Sequence, residues 1–195
     1  MRSFGWPAPA KLNLFLHIIG QRSDGYHLLQ TVFQFIKLCD FIDFTILKSG
    51  LIKRSSDNLG IDEENDLVIR AAQKIKEKTG SKLGVDIKVE KNIPVGGGLG
   101  GGSSNAATTL VALNELWQTG LSVQELGEIG LSLGADIPFF IHGNTAWAEG
   151  VGEKLVSIEL DESFYLVIYP DCSISTKAVF QASDLTRNTP RITIR

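Results

Sequence analysis

A glycine-rich segment is the part of the sequence whose composition points most directly to chemistry. Six of the seven residues from Gly96 to Gly102 are glycine. Without side chains, their backbone N–H groups can approach a ligand closely and adopt left-handed angles. A helix pattern follows, and the first N–H groups and dipole of a helix favour an anion. The sequence therefore predicts a phosphate-binding loop made of Pro94, Val95, Gly96, Gly97, Gly98, Leu99, Gly100, Gly101, Gly102, Ser103 and Ser104.

The common phosphate-binding motifs do not account for this loop. Gly96, Gly98 and Gly101 formally match the dinucleotide fingerprint, but no strand with an acidic ribose ligand follows the helix, so a Rossmann dehydrogenase is the weaker interpretation. A Walker A loop needs a lysine before its Ser or Thr, whereas Gly102 precedes Ser103. The HRD and DFG elements of protein kinases are absent as well. A flexible linker is disfavoured because the segment joins a strand to a strong helix. Because the loop itself contains no lysine, a lysine from elsewhere in the chain must contact the phosphates or the substrate.

The elements that must position the loop alternate between strand and helix patterns. Period-two alternation predicts strands, and helical spacing with capping residues predicts helices. At residues 11–19 the alternation places Leu12 and Leu14 on one face and Lys11 and Asn13 on the other. Residues 48–64 are predicted as a loop, and no partner element is predicted for the polar tail beyond Leu185. The strands are predicted at 11–19, 28–38, 41–47, 85–89, 144–148, 154–160 and 164–169, and the helices at 66–78, 103–117, 122–133 and 176–182.

Composition excludes several classes of protein. The chain has 195 residues, 43% hydrophobic and 21% charged, which is typical of a globular protein. A formal net charge of -3 and scattered basic residues disfavour a nucleic-acid partner. The two cysteines, Cys39 and Cys172, suggest neither disulfides nor a zinc site, which favours a cytoplasmic location. The sequence predicts no signal peptide or membrane partner.

Three motifs, in order along the chain, resemble those of the GHMP kinase superfamily. They are residues 9–14 (PAKLNL), the glycine loop with its continuation through Asn105-Ala106-Ala107, and residues 134–138 (GADIP). Residues 20–27 (GQRSDGYH) narrow the similarity to members whose substrate carries a cytosine base. The similarity covers about residues 6–189. It implies an α+β GHMP kinase fold and ATP-dependent phosphorylation of the 2-hydroxyl of 4-diphosphocytidyl-2-C-methyl-D-erythritol, with Mg²⁺.

The resemblance also implies roles for individual residues. Lys11 and Asp136 would flank the hydroxyl that receives the γ-phosphate. From the residues alone, Lys11 would be a solvated strand lysine and Asp136 a turn residue before a proline. Ser104 could supply a hydroxyl near Mg²⁺, and no carboxylate is assigned to the metal. The residues implied to bind the cytidyl diphosphate substrate are Tyr26 and Phe180, stacking on the base, His27, reading its edge, and Asn13 and Thr176.

The family pattern also sets expectations for the organisation of the chain. It implies an N-terminal ATP-binding domain over residues 1–157 and the start of a C-terminal substrate-binding domain over 158–195, which would be incomplete because family members continue further. Asp66-Leu67 stands where the family usually has Asn-Leu. Two alternatives stay open: a related kinase acting on homoserine or mevalonate, and a nucleotide-binding module without catalytic activity.

Overall fold

Two long antiparallel strands form the base of the fold in the computed structural model, which describes residues 1–55, 65–161, 163–169 and 176–193. Strand β1 (Arg2–Gln21) pairs along its length with β2 (His27–Leu47). In the turn between them, Asp24 accepts a hydrogen bond of 3.2 Å from the N–H of Tyr26. The sequence predicted two strands where β2 runs as one.

The other elements complete a sheet covered by helices. They are β3 (Ile52–Arg54), α1 (Leu67–Thr79), β4 (Gly84–Glu90), α2 (Gly101–Leu116), α3 (Val123–Leu133), α4 (Ile137–His142), β5 (Ala146–Gly150), β6 (Lys154–Ser157) and α5 (Thr176–Gln181). Strand β3 pairs in parallel with β4, and the remaining pairs are antiparallel. The described strands form one six-stranded sheet of order β3-β4-β2-β5-β6, with β1 paired to β2. This architecture agrees with the predicted α+β class.

The main core lies between one face of the β2–β4 pair and the helices. Ile42 pairs with Val89 and Phe44 with Ile87, so these buried side chains share one face, while the opposite face carries polar residues. Helices α1 to α4 each contribute buried apolar residues to the same cluster. In the described part of the chain, no helix has the length and apolar character needed to cross a membrane.

Side-chain caps begin helices α1 and α3 within one residue of the predicted starts, 66 and 122. Asp66 accepts a hydrogen bond of 2.9 Å from the N–H of Val68, and Gly80 ends α1 in a left-handed conformation. Ser122 and Glu125 form a reciprocal capping box at α3. The backbone N–H of Ser122 and, to a smaller extent, its hydroxyl donate hydrogen bonds to the carboxylate of Glu125. These bonds hold the pKa of Glu125 below its usual value.

Three expectations about local structure were wrong, and one helix was not predicted. Three residues of the predicted loop at 48–64 form β3, and residues 56–64 lie outside the described part of the chain. Helix α4 was missed because its six residues are too few for a periodic pattern. Residues 164–169 form no strand, since no described strand pairs with them. The tail does have partners: Thr189 donates to the carbonyl of Ile18 (2.9 Å), and Ile192 donates to the side chain of Gln30 (2.9 Å).

The alternation predicted for β1 is interrupted where its pairing with β2 changes register. Shifts lie between Pro9 and Ala10 and between Asn13 and Leu16, so they flank the stretch that contains Lys11. Leu14 and Leu16 are exposed, whereas Lys11 is only 6% exposed. Bulges of this kind re-aim side chains next to functional sites. At Lys11, the strand face that was predicted to be polar is therefore the buried one.

Asp40 ties strand β2 to the segment that leads into the glycine loop. Its fully buried carboxylate accepts hydrogen bonds from the N–H groups of Asn92 (2.7 Å) and Ile93 (2.8 Å) and pairs with the ammonium of Lys91. A buried carboxylate needs such partners because its desolvation is costly.

We expect Asp40→Ala to lower the free energy of unfolding by about 3–5 kcal/mol, because it leaves Lys91 without its partner and two backbone N–H groups without an acceptor. Urea denaturation measures the change. Glu77→Ala, which removes an exposed carboxylate paired with Lys74, is the control and should change stability by less than about 0.5 kcal/mol. Equal effects of the two variants would contradict the anchoring role of Asp40.

Candidate functional site

The side chain of Lys11 is buried at the centre of the site. Its Nζ donates a hydrogen bond to Oδ1 of Asn13, lies 3.4 Å from Oδ2 of Asp136, and lies 4.9 Å from the centroid of the Phe33 ring. Its backbone N–H donates to the carbonyl of Leu99 (3.0 Å), which joins β1 directly to the glycine loop. Lys11 and Asn13, two residues apart on β1, are thus brought together with Asp136, which lies far along the chain.

Asp136 occupies the position before helix α4, but its carboxylate does not cap that helix. Pro138 lies in the first turn, where a missing N–H costs least. The carboxylate is instead paired with Lys11, and its side chain remains 36% exposed. A carboxylate that does not cap a helix and that lines a cavity can accept or orient a proton.

The glycine loop forms the wall between two cavities. The smaller, of about 170 Å³, is lined by Pro94 to Gly102 together with residues of α1. The larger, of about 1340 Å³, is lined by Gly96 to Ser103 and contains Lys11, Asn13 and Asp136. Gly96, Gly98 and Gly100 have φ values of +78°, +71° and +73°, which confirms the expected left-handed backbone. A phosphate chain on this loop would face the Lys11–Asp136 pair.

The polar side chains at and near the smaller cavity differ in whether their hydrogen-bonding atoms already have partners within the protein. Oδ2 of Asp66 pairs with Arg54, and its Oδ1 caps α1, so both oxygens of this carboxylate are engaged within the protein. Oδ1 of the buried Asn105 has no hydrogen-bond partner among the described residues, and Asn105 is one of the residues that line the smaller cavity. The hydroxyl of Ser104 is likewise buried without a partner there, but Ser104 lines neither cavity, whereas Ser103 lines the larger one.

Tyr169 contacts the glycine loop from the segment that was predicted as a strand. Its hydroxyl donates a hydrogen bond of 3.0 Å to the carbonyl of Val95, and its ring would lie 3.3 Å from a Cβ added at Gly97. Tyr169 was not predicted as a site residue, because nothing in residues 164–169 distinguishes a loop contact from a buried strand. Lys91, which lines the smaller cavity, and Arg187, which lines the larger one, were not predicted either.

The aromatic residues implied by the resemblance lie at one end of the larger cavity. Tyr26 is 62% exposed, while the rings of His27 and Phe180 pack on each other with centroids 5.1 Å apart and planes inclined by 30°. Thr176 begins α5, and its side chain lies outside the part of the chain that the structure describes. One exposed ring from the β1–β2 turn and one ring pair, formed between β2 and α5, therefore line the cavity.

Comparison with known proteins identifies relatives over nearly the whole chain. Residues 66–144 match the family described as GHMP kinases N terminal domain. The 4-diphosphocytidyl-2-C-methyl-D-erythritol kinase of Shewanella pealeana is 56% identical over 193 residues, covering 98% of this chain and 68% of the relative. The protein of the same name from Nitrosococcus oceani is 56% identical over 189 residues, covering 97% of this chain and 68% of the relative.

A solved structure agrees with these relatives. The crystal structure of a 4-(cytidine 5'-diphospho)-2C-methyl-D-erythritol kinase superposes with a TM-score of 0.77 at 36% identity, covering 93% of this chain and 64% of the other. The chain thus spans about two thirds of the length of the proteins that it matches.

Gly98→Ala and Gly100→Ala form a matched pair of variants for the loop. Both glycines have positive φ, so each alanine should cost about 1–2 kcal/mol and weaken binding of ATP. A Cβ at Gly98 meets nothing within 4 Å, whereas one at Gly100 would lie 2.7 Å from Cζ of Phe140 and 3.1 Å from Cγ of Lys11. We therefore expect the lower melting temperature, and the displacement of Lys11, in Gly100→Ala.

Thermal unfolding and calorimetric titration with ATP measure the two effects. Unchanged ATP affinity in both variants would contradict the assignment of a phosphate loop. Equal melting temperatures would contradict the close approach of Gly100 to Phe140 and Lys11.

Proposed function

Because the chain belongs to the 4-diphosphocytidyl-2-C-methyl-D-erythritol kinase family of the GHMP kinases, we propose that it transfers the γ-phosphoryl group of ATP to the 2-hydroxyl of 4-diphosphocytidyl-2-C-methyl-D-erythritol. In this role it would act in the non-mevalonate route to isoprenoid precursors. The observation that carries the proposal is the Lys11–Asp136 pair, which lines the larger cavity against the glycine loop.

The paired side chains suit phosphoryl transfer to an alcohol. In the proposed mechanism, Asp136 accepts or orients the proton of the acceptor hydroxyl. Lys11 stabilises the charge that develops on the alkoxide and the moving phosphoryl group. Asn13 holds the ammonium of Lys11 through its side-chain oxygen and would also contact the substrate. Since such a transfer depends on positioning and charge, the burial of Lys11 supports its role by keeping the ammonium in one place.

ATP is proposed to lie across the glycine loop with its base in the smaller cavity. Residues 94–104 would surround the phosphates with backbone N–H groups and the start of α2. The unpartnered oxygen of Asn105 would accept a hydrogen bond from the nucleotide. The carboxylate of Asp66 is already bonded to Arg54 and Val68, so in this chain we assign it to shaping the cavity and not to reading the base.

Magnesium is proposed to enter with the nucleotide. Mg²⁺ keeps water and phosphate oxygens as ligands and needs only one or two protein groups. Hydroxyl groups of the loop suit that mode: Ser103 lines the larger cavity, and the buried oxygen of Ser104 has no partner among the described residues. Bound Mg²⁺ would offset the negative charge of the phosphates.

The substrate's cytosine is proposed to bind at the aromatic end of the larger cavity. Tyr26 and Phe180 would stack on the base and His27 would read its edge, with Thr176 as a further contact. The exposure of Tyr26 and its place in the cavity wall support this arrangement.

We further propose a nucleotide-binding domain over residues 1–157 and a second domain beginning at 158, because strand β6 ends at Ser157. We also propose that the protein acts in the cytoplasm, which the free thiol of Cys39 supports.

The catalytic assignment is tested by Asp136→Asn, Lys11→Met and the double variant, in a chain extended to the length of its relatives. Each single change should lower kcat on the order of 10²–10⁴ with little change in ATP affinity, because the charges act mainly as the phosphoryl group moves. If both residues serve one proton and one phosphoryl group, the double variant should lose less than the product of the single losses.

Steady-state kinetics and melting temperatures of the four proteins measure these effects. The control pair is Lys53→Met and Asp86→Asn, an ion pair of 2.8 Å whose residues line neither cavity, and it should leave kcat near the wild-type value. A near-normal kcat in Asp136→Asn, or a loss that unfolding explains, would reduce Asp136 to a turn residue.

A further inference from the structure

The guanidinium of Arg187 organises the aromatic end of the larger cavity. It donates to three backbone carbonyls that follow or end helix α5: Phe180 (3.1 Å), Ala182 (2.8 Å) and Leu185 (3.0 Å). Its Nε donates the remaining hydrogen bond, of 3.2 Å, to Nε2 of His27. Arg187 is half-buried and lines the cavity together with His27 and Phe180. One side chain therefore positions both the ring pair and the segment that carries Phe180.

The hydrogen bond to His27 determines which nitrogen of the imidazole carries the proton. A guanidinium has only donors and does not lose its proton in proteins, so Nε2 of His27 must be the acceptor. A neutral imidazole whose Nε2 accepts carries its proton on Nδ1. His27 therefore offers a donor, Nδ1–H, as its second polar atom.

We propose that Arg187 is a positioning residue for base selection: it holds His27 as the Nδ1–H tautomer, so that the imidazole donates to an acceptor atom on the edge of a cytosine base. This inference rests on the proposed function for the identity of the base. Cytosine presents an unprotonated N3, an acceptor, where uracil presents N3–H, a donor. A donor fixed at Nδ1 pairs with the first and opposes the second, and mismatched polar groups in a site are strongly rejected.

The matched variants are Arg187→Lys and, on the same segment, Arg191→Lys at an exposed position. Lysine keeps the positive charge, but it lacks the planar guanidinium that donates to the ring nitrogen of His27 and to the backbone carbonyls at the same time. The sequence has only three histidines, so ¹⁵N-histidine labelling with His17→Gln and His142→Gln assigns the ring signals of His27. We expect protonated Nδ1 and unprotonated Nε2 in the wild type and in Arg191→Lys, and a shift towards protonated Nε2 in Arg187→Lys.

Calorimetric titration with cytidine 5'-diphosphate and uridine 5'-diphosphate, on the chain extended to the length of its relatives, gives the second measurement. The wild type and Arg191→Lys should bind the cytidine compound more tightly, and Arg187→Lys should reduce that preference on the order of tenfold. ATP affinity and the melting temperature of each variant separate loss of selection from loss of fold, because a purely structural role would lower both ligands' affinities together.

The two measurements also separate this inference from the proposed function. Absence of kinase turnover, with the tautomer and the cytidine preference as expected, would contradict only the proposed reaction. A wild-type His27 protonated on Nε2, an unchanged preference in Arg187→Lys, or no binding of either diphosphate would overturn the role of Arg187.

Discussion

The burial of one ammonium group is the constraint on which the site depends. An ion without partners is too costly to keep away from water, so Lys11 can be 6% exposed only if neighbouring groups compensate its charge. Asn13, Asp136 and the face of the Phe33 ring supply that compensation from two strands and the start of a helix. The packing of β1, β2 and α4 is therefore tied to the electrostatics of one side chain.

The same residue connects the sheet to the loop that separates the cavities. The backbone N–H of Lys11 bonds to Leu99, and Gly100 leaves room for the side chain of Lys11 beside Phe140. On the other side of the loop, Asp40 holds Asn92 and Ile93 against β2. The loop, although rich in glycine, is thus attached to buried polar groups near both of its ends. An ordered backbone presents N–H groups to a phosphate without a further loss of conformational entropy.

Local signals in the sequence were sufficient for most of the fold, and distant contacts account for the rest. Asp66 and Ser122 act within three residues of their own positions, so the helices they begin could be predicted. Tyr169 bonds to a residue 74 positions away and Arg187 to one 160 positions away, and no local pattern reports such pairs. The juxtaposition of Lys11 and Asp136 was expected only through the resemblance to a known family, because periodicity alone favoured a solvated lysine and a turn carboxylate.

Residues 96–102 line both cavities. Any backbone adjustment of residues 96–102 that a ligand stabilises on one side reshapes the wall presented to the other side. Thermodynamic linkage then requires equal influence in both directions: the factor by which one occupant changes the equilibrium affinity for the second is the factor by which the second changes the affinity for the first. The glycine-rich connection between β4 and α2 is a boundary common to both cavities, so the free energy needed to distort it would couple binding in one cavity to binding in the other.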